Sequence, residues 1–95
     1  MHFLVTAYDG KDSGAAARRQ AAREAHLAAS RKLKDEGTML FGAAILDDAG
    51  NMIGSAMLVD LPDRAAVDAW LAADPYTTGK VWQEVSILPC RVSVK

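Results

Sequence analysis

The alternation of apolar and polar residues divides the first half of the chain into a strand, a loop and a long helix. Residues 2–8, "HFLVTAY", are β-branched and aromatic, which indicates a strand. Residues 15–36 are mostly Ala, Arg, Leu, Lys and Glu, all good helix formers. The loop "DGKDSG" precedes that helix, and Asp12 or Ser13 is the predicted N-cap. Gly37 is suited to end the helix in a left-handed conformation.

The second half repeats the change from strand to helix. "TMLFGAAIL" and "MIGSAMLVD" flank the turn "DDAGN", which predicts a β-hairpin. "LPDRAAVDAWLAADP" predicts a second helix, either with Asp63 as its cap or with Asp60 ahead of Pro62 in the first turn. "KVWQEVSILPCRVSVK" predicts a last strand with a bend or an edge position at Pro89. The order βαββαβ predicts a single domain over residues 1–95, with the ferredoxin-like α+β sandwich as its fold.

Two helices cover only one face of a four-stranded sheet, yet both faces of the hairpin are apolar. Simple alternation places Met39, Phe41 and Ala43 on one side and Leu40 and Ala44 on the other. A sheet that is apolar on both faces must be covered on both. The sequence therefore predicts a homodimer formed through the sheet face.

Composition excludes several classes of partner. The chain has 51% hydrophobic and 24% charged residues, typical of a globular domain, and a net charge of −1, which argues against a polyanion as partner. The basic residues of the first helix lack interleaved aromatics, so no nucleic acid is expected. No apolar run reaches membrane-spanning length, and the N-terminus is interpreted as a strand rather than a signal peptide. We expect a cytoplasmic protein without a metal site. Cys90 is expected at a partly buried strand position.

Three polar residues of the first helix point toward a common side. His26 falls on a stripe of small residues, four after Ala22 and three before Ala29. Arg19, seven residues before His26, points nearly the same way, and Arg23 flanks the stripe. Small residues beside polar ones indicate a cavity. The alternatives are a core histidine bonded to backbone or water, and arginines on a solvated face.

One acid continues the apolar stripe of the second helix. Asp74 lies four residues after Trp70 and three after Leu71, and an acid on that side needs a partner. A histidine or an arginine would serve as that partner. Alternatively, Asp74 forms an Asx-turn with the residues after Pro75.

Three segments in this order resemble the YciI-like (YCII-related) family: "RRQAAREAHLAASRKL", "GTMLFGAAILDDAGNMIGSAML" and "DRAAVDAWLAADPYTTGKVWQEVSILP". The resemblance covers nearly the whole chain. It implies a fold of the dimeric α+β barrel kind, a pocket between helices and sheet, and a histidine–aspartate pair, here His26 and Asp74. In this class some relatives are dehydrochlorinases of chlorinated hydroxyquinones, and others are muconolactone isomerases or cofactor-free monooxygenases. "SILPCRVSVK" departs from the family pattern by lacking an aromatic after its proline.

Two hypotheses follow for function. In the first, a cofactor-free enzyme uses His26, held by Asp74, for proton transfer, elimination or isomerisation on a small cyclic acid or hydroxyquinone. Arg19 or Arg23 would bind a carboxylate or phenolate, and Ser55 and Tyr76 would add hydrogen bonds at the pocket rim. A backbone-bonded Ser55 and an exposed Tyr76 are the structural alternatives. In the second hypothesis, the same pocket belongs to a non-catalytic domain that binds a small anion or serves an assembly.

Overall fold

The secondary structure follows the predicted order, with one short helix added. The computed structural model describes residues 1–95. Its elements are β1 His2–Asp9, α1 Ala15–Asp35, β2 Met39–Leu46, β3 Met52–Asp60, α2 Arg64–Ala73, α3 Pro75–Thr78 and β4 Trp82–Cys90. The strands form one antiparallel sheet in the order β2-β3-β1-β4, which is the ferredoxin-like α+β arrangement. No helix is long and apolar enough to cross a membrane.

The core lies between the helices and one face of the sheet. Phe3, Val5 and Ala7 alternate along β1 and are buried against the helix layer, where Val67 and Leu71 of α2 are also buried. This alternation is the period-two pattern of a strand with one covered face. A fully buried Phe, Val or Leu side chain contributes about 1.5–3 kcal/mol by leaving water, so these rows fix the helices on this face.

Helix α1 begins and ends close to the predicted residues, but its N-cap differs from the prediction. Gly37 has φ 80°, the left-handed conformation expected after a helix. The N-cap is Gly14, which has no side chain, rather than the predicted Asp12 or Ser13, although the Asp12 carboxylate accepts a hydrogen bond from Gly14 N at 3.2 Å. The Asp12 carboxylate also binds the Arg18 guanidinium at 2.8 and 2.7 Å. This contact holds the pKa of Asp12 well below its usual range.

Helix α2 is capped by Asp63, as predicted, and stops one residue earlier than expected. The Asp63 carboxylate accepts a hydrogen bond from Ala66 N at 2.9 Å. Asp74 has extended backbone angles, and Pro75 starts the separate helix α3. Asp74 therefore is the N-cap of α3 rather than part of the last turn of α2. An acid is favourable at a helix N-terminus, which explains the charge at this position.

The two sides of β2 differ from the sequence prediction because the strand contains a bulge. The prediction grouped its residues as Met39, Phe41 and Ala43 against Leu40 and Ala44. The register shifts between Met39 and Phe41, with Leu40 as the extra residue. Phe41 therefore pairs with Leu58, and Gly42 pairs with Met57 of the helix side. Ala43 likewise lies on the side away from the helices, and Ala44 lies on the helix side beside Ser55.

The face away from the helices carries an apolar row that crosses all four strands. Residues paired in register put Leu88, Leu4, Leu58 and Phe41 side by side. Leu88 is 56% and Phe41 45% exposed, whereas the two central leucines are half-buried. We call the surface defined by these four residues the open face. An exposed apolar row of this kind indicates a surface that another molecule covers.

Strand β4 is shorter than predicted and lies at the edge of the sheet. It ends at Cys90 rather than Lys95. Pro89 occupies an edge strand, one of the two positions predicted for it, because an edge strand leaves one side of its backbone unpaired. Cys90 is exposed, in contrast to the partly buried position expected from sequence. It pairs with His2 on the side of the sheet that carries no helix.

Candidate active site

The predicted histidine and aspartate lie in direct contact. His26 Nδ1 is 2.8 Å from Asp74 Oδ1, and the two residues are 8% and 4% exposed. His26 is buried, as its place on the inward stripe of α1 predicted, but the alanines of that stripe do not line the cavity. Asp74 reaches the imidazole from the N-terminus of α3. The pair joins residues that are 48 positions apart in sequence.

Asp74 is held from two sides. Its Oδ1 also accepts a hydrogen bond from Tyr76 N at 2.9 Å, so the carboxylate both caps α3 and binds the imidazole. The sequence left two alternatives for Asp74, a local turn bond and a histidine partner, and both contacts are present together. Because an ionised carboxylate only accepts hydrogen bonds, the proton of a neutral His26 lies on Nδ1. Nε2 then carries the free lone pair.

Aromatic rings fix the plane of the imidazole. The rings of His26 and Tyr76 stack with centroids 3.8 Å apart and 7° between their planes. The indole of Trp82 meets both edge-on, with centroids 5.6 Å from His26 and 5.5 Å from Tyr76. The imidazole is therefore held in its plane by this packing and in its tautomer by Asp74.

A buried polar network lies beside the stacked rings. The guanidinium of Arg19 donates to both Asp9 oxygens at 2.8 and 3.0 Å, to Gly54 O at 3.1 Å and to Ser55 Oγ at 3.2 Å. Trp82 Nε1 also donates to Ser55 Oγ at 3.1 Å. Ser55 thus bonds to side chains rather than to backbone, against the structural alternative taken from sequence. The four terminal N–H groups of Arg19 are engaged within the protein.

Tyr76 is buried rather than exposed. Only 1% of its surface is accessible, because its ring lies between His26 and the Arg19 guanidinium, whose Cζ is 4.8 Å from the ring centroid. No hydrogen bond to the protein involves its hydroxyl, and that oxygen is not among the fully buried unpaired atoms. Since Tyr76 lines the adjoining cavity, its hydroxyl faces that space.

Sequence reasoning missed two members of this site. Asp9 is 8% exposed, and the burial pattern of β1 places it on the same face as Phe3, Val5 and Ala7. Its position two residues after Ala7 was a signal available from period-two alternation. Trp82, the first residue of β4, carried no such signal, because nothing in sequence aligns its indole with Ser55.

A cavity of about 460 Å³ opens between α1 and the β2–β3 side of the sheet. Its floor includes Gly42, which has no side chain, and Ala44, which has only a methyl group, and both lie on the helix side of β2. His26 lines the cavity, and its Nε2 has no partner in the protein. Arg23 also lines it and takes part in no ion pair. The cavity thus brings a free imidazole nitrogen, a phenol and a cation together.

Burial raises the pKa of Tyr76 above its ordinary value of about 10. The folded protein therefore holds this proton more tightly than the unfolded chain, and the free energy of unfolding falls as pH rises above about 10. We expect Tyr76→Phe to lose less of its free energy of unfolding as pH rises than the wild type does. Denaturation midpoints measured from about pH 9 to about pH 11 give this slope. Tyr8→Phe, which replaces the other tyrosine, is the control and keeps the wild-type slope. Equal slopes for the wild type and Tyr76→Phe contradict the assignment.

No group of three or more His, Cys, Asp or Glu side chains is placed to hold a metal ion. The four-stranded antiparallel sheet and its element order place the chain in the ferredoxin-like α+β class of proteins. Within that class, the chain belongs to the YCII-related domain family, whose model matches residues 1–91. It is 34% identical over 95 residues to the protein YciI of Escherichia coli O6:H1 strain CFT073, covering 94% of this chain and 95% of that protein. The YciI protein of Shigella flexneri matches to the same extent.

Solved structures share this fold. A 5-chloro-2-hydroxyhydroquinone dehydrochlorinase of Burkholderia phenoliruptrix AC1100, in complex with 2,5-dihydroxybenzoquinone, superposes with a TM-score of 0.82. It is 24% identical, over 96% of this chain and 94% of that one. An antibiotic biosynthesis monooxygenase superposes with a TM-score of 0.55 at 17% identity, over 99% and 100% of the two chains. At these identities the likeness establishes the fold.

Proposed function

We propose that this protein is a cofactor-free enzyme that moves a proton on a small cyclic acid or hydroxyquinone. His26 is the acid–base group and Asp74 its orienting partner. The observation that carries the proposal is the 2.8 Å contact from Nδ1 to Asp74, which leaves Nε2 free at the wall of the cavity. Histidine changes its protonation in the physiological pH range, so it suits this role.

In the proposed step, Nε2 takes a proton from a hydroxyl or an acidic C–H of the substrate. The electron pair left behind either expels a leaving group from the ring, which is an elimination, or shifts a double bond, which is an isomerisation. Asp74 stabilises the imidazolium that forms. Arg23 and the Tyr76 hydroxyl stabilise the negative charge on substrate oxygen. The imidazolium then returns its proton to the product or to water.

The network around Arg19 assigns it a different proposed role from that of Arg23. Its terminal N–H groups are bonded to Asp9, Gly54 and Ser55, so it has few donors left for a bidentate contact with substrate. We propose that Arg19 and Ser55 hold the cavity wall and the Tyr76 ring in place. Arg23 and Tyr76 then make the direct contacts to substrate.

The dehydrochlorinase with the same fold supports a hydroxyquinone-type substrate, since its complex contains a dihydroxybenzoquinone. The test is incubation with 5-chloro-2-hydroxyhydroquinone under anaerobic conditions, with chloride release as the measurement. We expect turnover by the wild type and its loss in Ala44→Phe, which fills the cavity floor without touching His26. Saturable binding of small anions with no turnover across chlorinated hydroquinones and unsaturated lactones would instead support a non-catalytic anion-binding or accessory domain.

We propose further that two copies associate through the open face. Leu88→Glu places a charge in the exposed apolar row and is expected to give a monomer in analytical ultracentrifugation, while the wild type sediments as a dimer. Val85→Glu is the matched control, because Val85 lies on the same strand, is 48% exposed and is paired with Ala7 on the helix side. A monomeric wild type at micromolar concentration, or equal dissociation by both variants, contradicts this interface.

A further inference from the structure

The charged side chains that line the cavity are all basic. Among its 17 lining residues are four arginines and lysines, Arg19, Arg23, Arg31 and Lys34, and no aspartate or glutamate. The charge of Arg19 is balanced by Asp9. The other three cations take part in no ion pair. Glu24 shares an outer surface groove with Arg23 and Arg31 but forms no salt bridge with either. An unbalanced positive cavity raises the local concentration of anions.

The three free cations are spread along the cavity rather than gathered at one point. They all project from α1, where Arg31 follows Arg23 by eight residues and Lys34 follows by three more. At 1.5 Å of rise per residue, Arg23 and Arg31 are about 12 Å apart along the helix axis. His26 lies between them and closer to Arg23. The cavity therefore has one cation beside the imidazole and two at its far end.

The space between the two cationic ends suits a ring. Leu27, Met57 and Leu40 line it with apolar surface, and the hydroxyl of Ser30 is buried there without a hydrogen-bond partner. The volume of about 460 Å³ is roughly three times that of a cavity of about 150 Å³ that accepts benzene. The site thus has room for more than one six-membered ring.

We propose that the cavity selects ring compounds with an anionic group at each end. One anion binds Arg23 beside His26, and the second, a carboxylate, binds Arg31 and Lys34. This inference rests on the cavity being the substrate site proposed above, and it names the class of substrate as cyclic or aromatic dianions. Arg31 and Lys34 act as specificity residues that touch substrate away from the reacting atoms.

The gain in affinity expected from the second anionic group is modest, because Arg31 and Lys34 are both exposed. An exposed ion pair contributes about 0.2–1 kcal/mol, and 1.4 kcal/mol corresponds to tenfold in affinity. Two such contacts predict that a dianion binds about two- to 25-fold more tightly than the matching monoanion at low salt. Because the contacts are solvent-accessible, high salt reduces this preference.

The test compares biphenyl-4-carboxylate with biphenyl-4,4′-dicarboxylate by isothermal titration calorimetry. Arg31→Gln with Lys34→Gln is the test variant. Lys11→Gln with Lys32→Gln is the control, since it removes the same charge from residues outside the cavity. We expect the wild type and the control to prefer the dicarboxylate by about two- to 25-fold. The test variant is expected to lose that preference and to bind the monocarboxylate within about twofold of wild type.

Equal affinity of the wild type for the two acids overturns the proposal, as does the failure of both to bind. A preference that survives in the test variant overturns the assignment to Arg31 and Lys34. The measurement needs no turnover, so its outcome is independent of catalysis by His26. A wild type that releases chloride but shows no preference for the dianion contradicts the substrate class alone, whereas a wild type that prefers the dianion but shows no turnover contradicts only the proposed reaction.

Discussion

Replacing His26 with glutamine is expected to lower kcat/KM for the chlorinated hydroquinone by about 10²- to 10⁴-fold, the usual contribution of a positioned acid–base group. Glutamine keeps a side-chain amide that can donate to Asp74, so the buried carboxylate retains a partner and the fold is preserved. The variant lacks only a nitrogen that accepts and returns a proton. Initial rates of chloride release at several substrate concentrations measure the effect.

His2→Gln is the control for this experiment. His2 is the other histidine of the chain and lies on β1 near Asp60, on the far side of the sheet from the cavity. This variant is expected to keep wild-type kinetics. A His26→Gln protein with circular dichroism and turnover like those of the wild type contradicts the assignment of His26 as the acid–base group.

Replacing Asp9 with asparagine is expected to lower the free energy of unfolding by about 3–5 kcal/mol. The side chains of Asp9 and Arg19 are 5% and 8% exposed, so the variant leaves an uncompensated cation in the interior. Domains of this size are stable by about 5–15 kcal/mol in total, so the loss is a large share. Urea denaturation followed by circular dichroism measures it.

The matched control is Asp68→Asn, which removes an exposed ion pair. Arg64 and Asp68 are 59% and 60% exposed, and an i, i+4 pair of this kind contributes about 0.3–0.5 kcal/mol. Replacing both buried partners, as Asp9→Leu with Arg19→Met, is expected to recover most of the loss, because no charge is then left buried. Equal effects of Asp9→Asn and Asp68→Asn contradict the buried pair.

The fold could be predicted because its signals are local. Helix formers from residue 15 onward, Gly37 after the helix and the turn between two apolar strands each follow from neighbouring residues. The inward direction of His26 also follows, since it depends only on the 3.6-residue period of one helix. Asp74 was expected to face inward by extending the phase of α2, yet α2 had already ended. It faces inward as the N-cap of α3, so the prediction was correct and its reason was wrong.

The rest of the site depends on contacts between distant segments. The burial of Tyr76 results from its position between His26 and Arg19, and no local pattern distinguishes it from an exposed turn tyrosine. The bulge at Leu40 depends on how β2 pairs with β3, and apolar residues on both sides of the strand conceal the shift. The period-two pattern of β1 did contain Asp9, but an acid at the end of a strand resembles a loop residue.

The bulge also determines how the start of β2 tolerates changes in chain length. Leu40 is the extra residue, so its removal would restore a regular ladder while Phe41 stays opposite Leu58 and Gly42 opposite Met57. Removal of Gly42 instead would turn Phe41 toward the cavity, because each missing residue reverses the alternation. A relative that is one residue shorter at Leu40 therefore keeps both its cavity floor and its open face. A one-residue deletion at this end of the strand therefore has a different outcome at Leu40 than it has two positions further on.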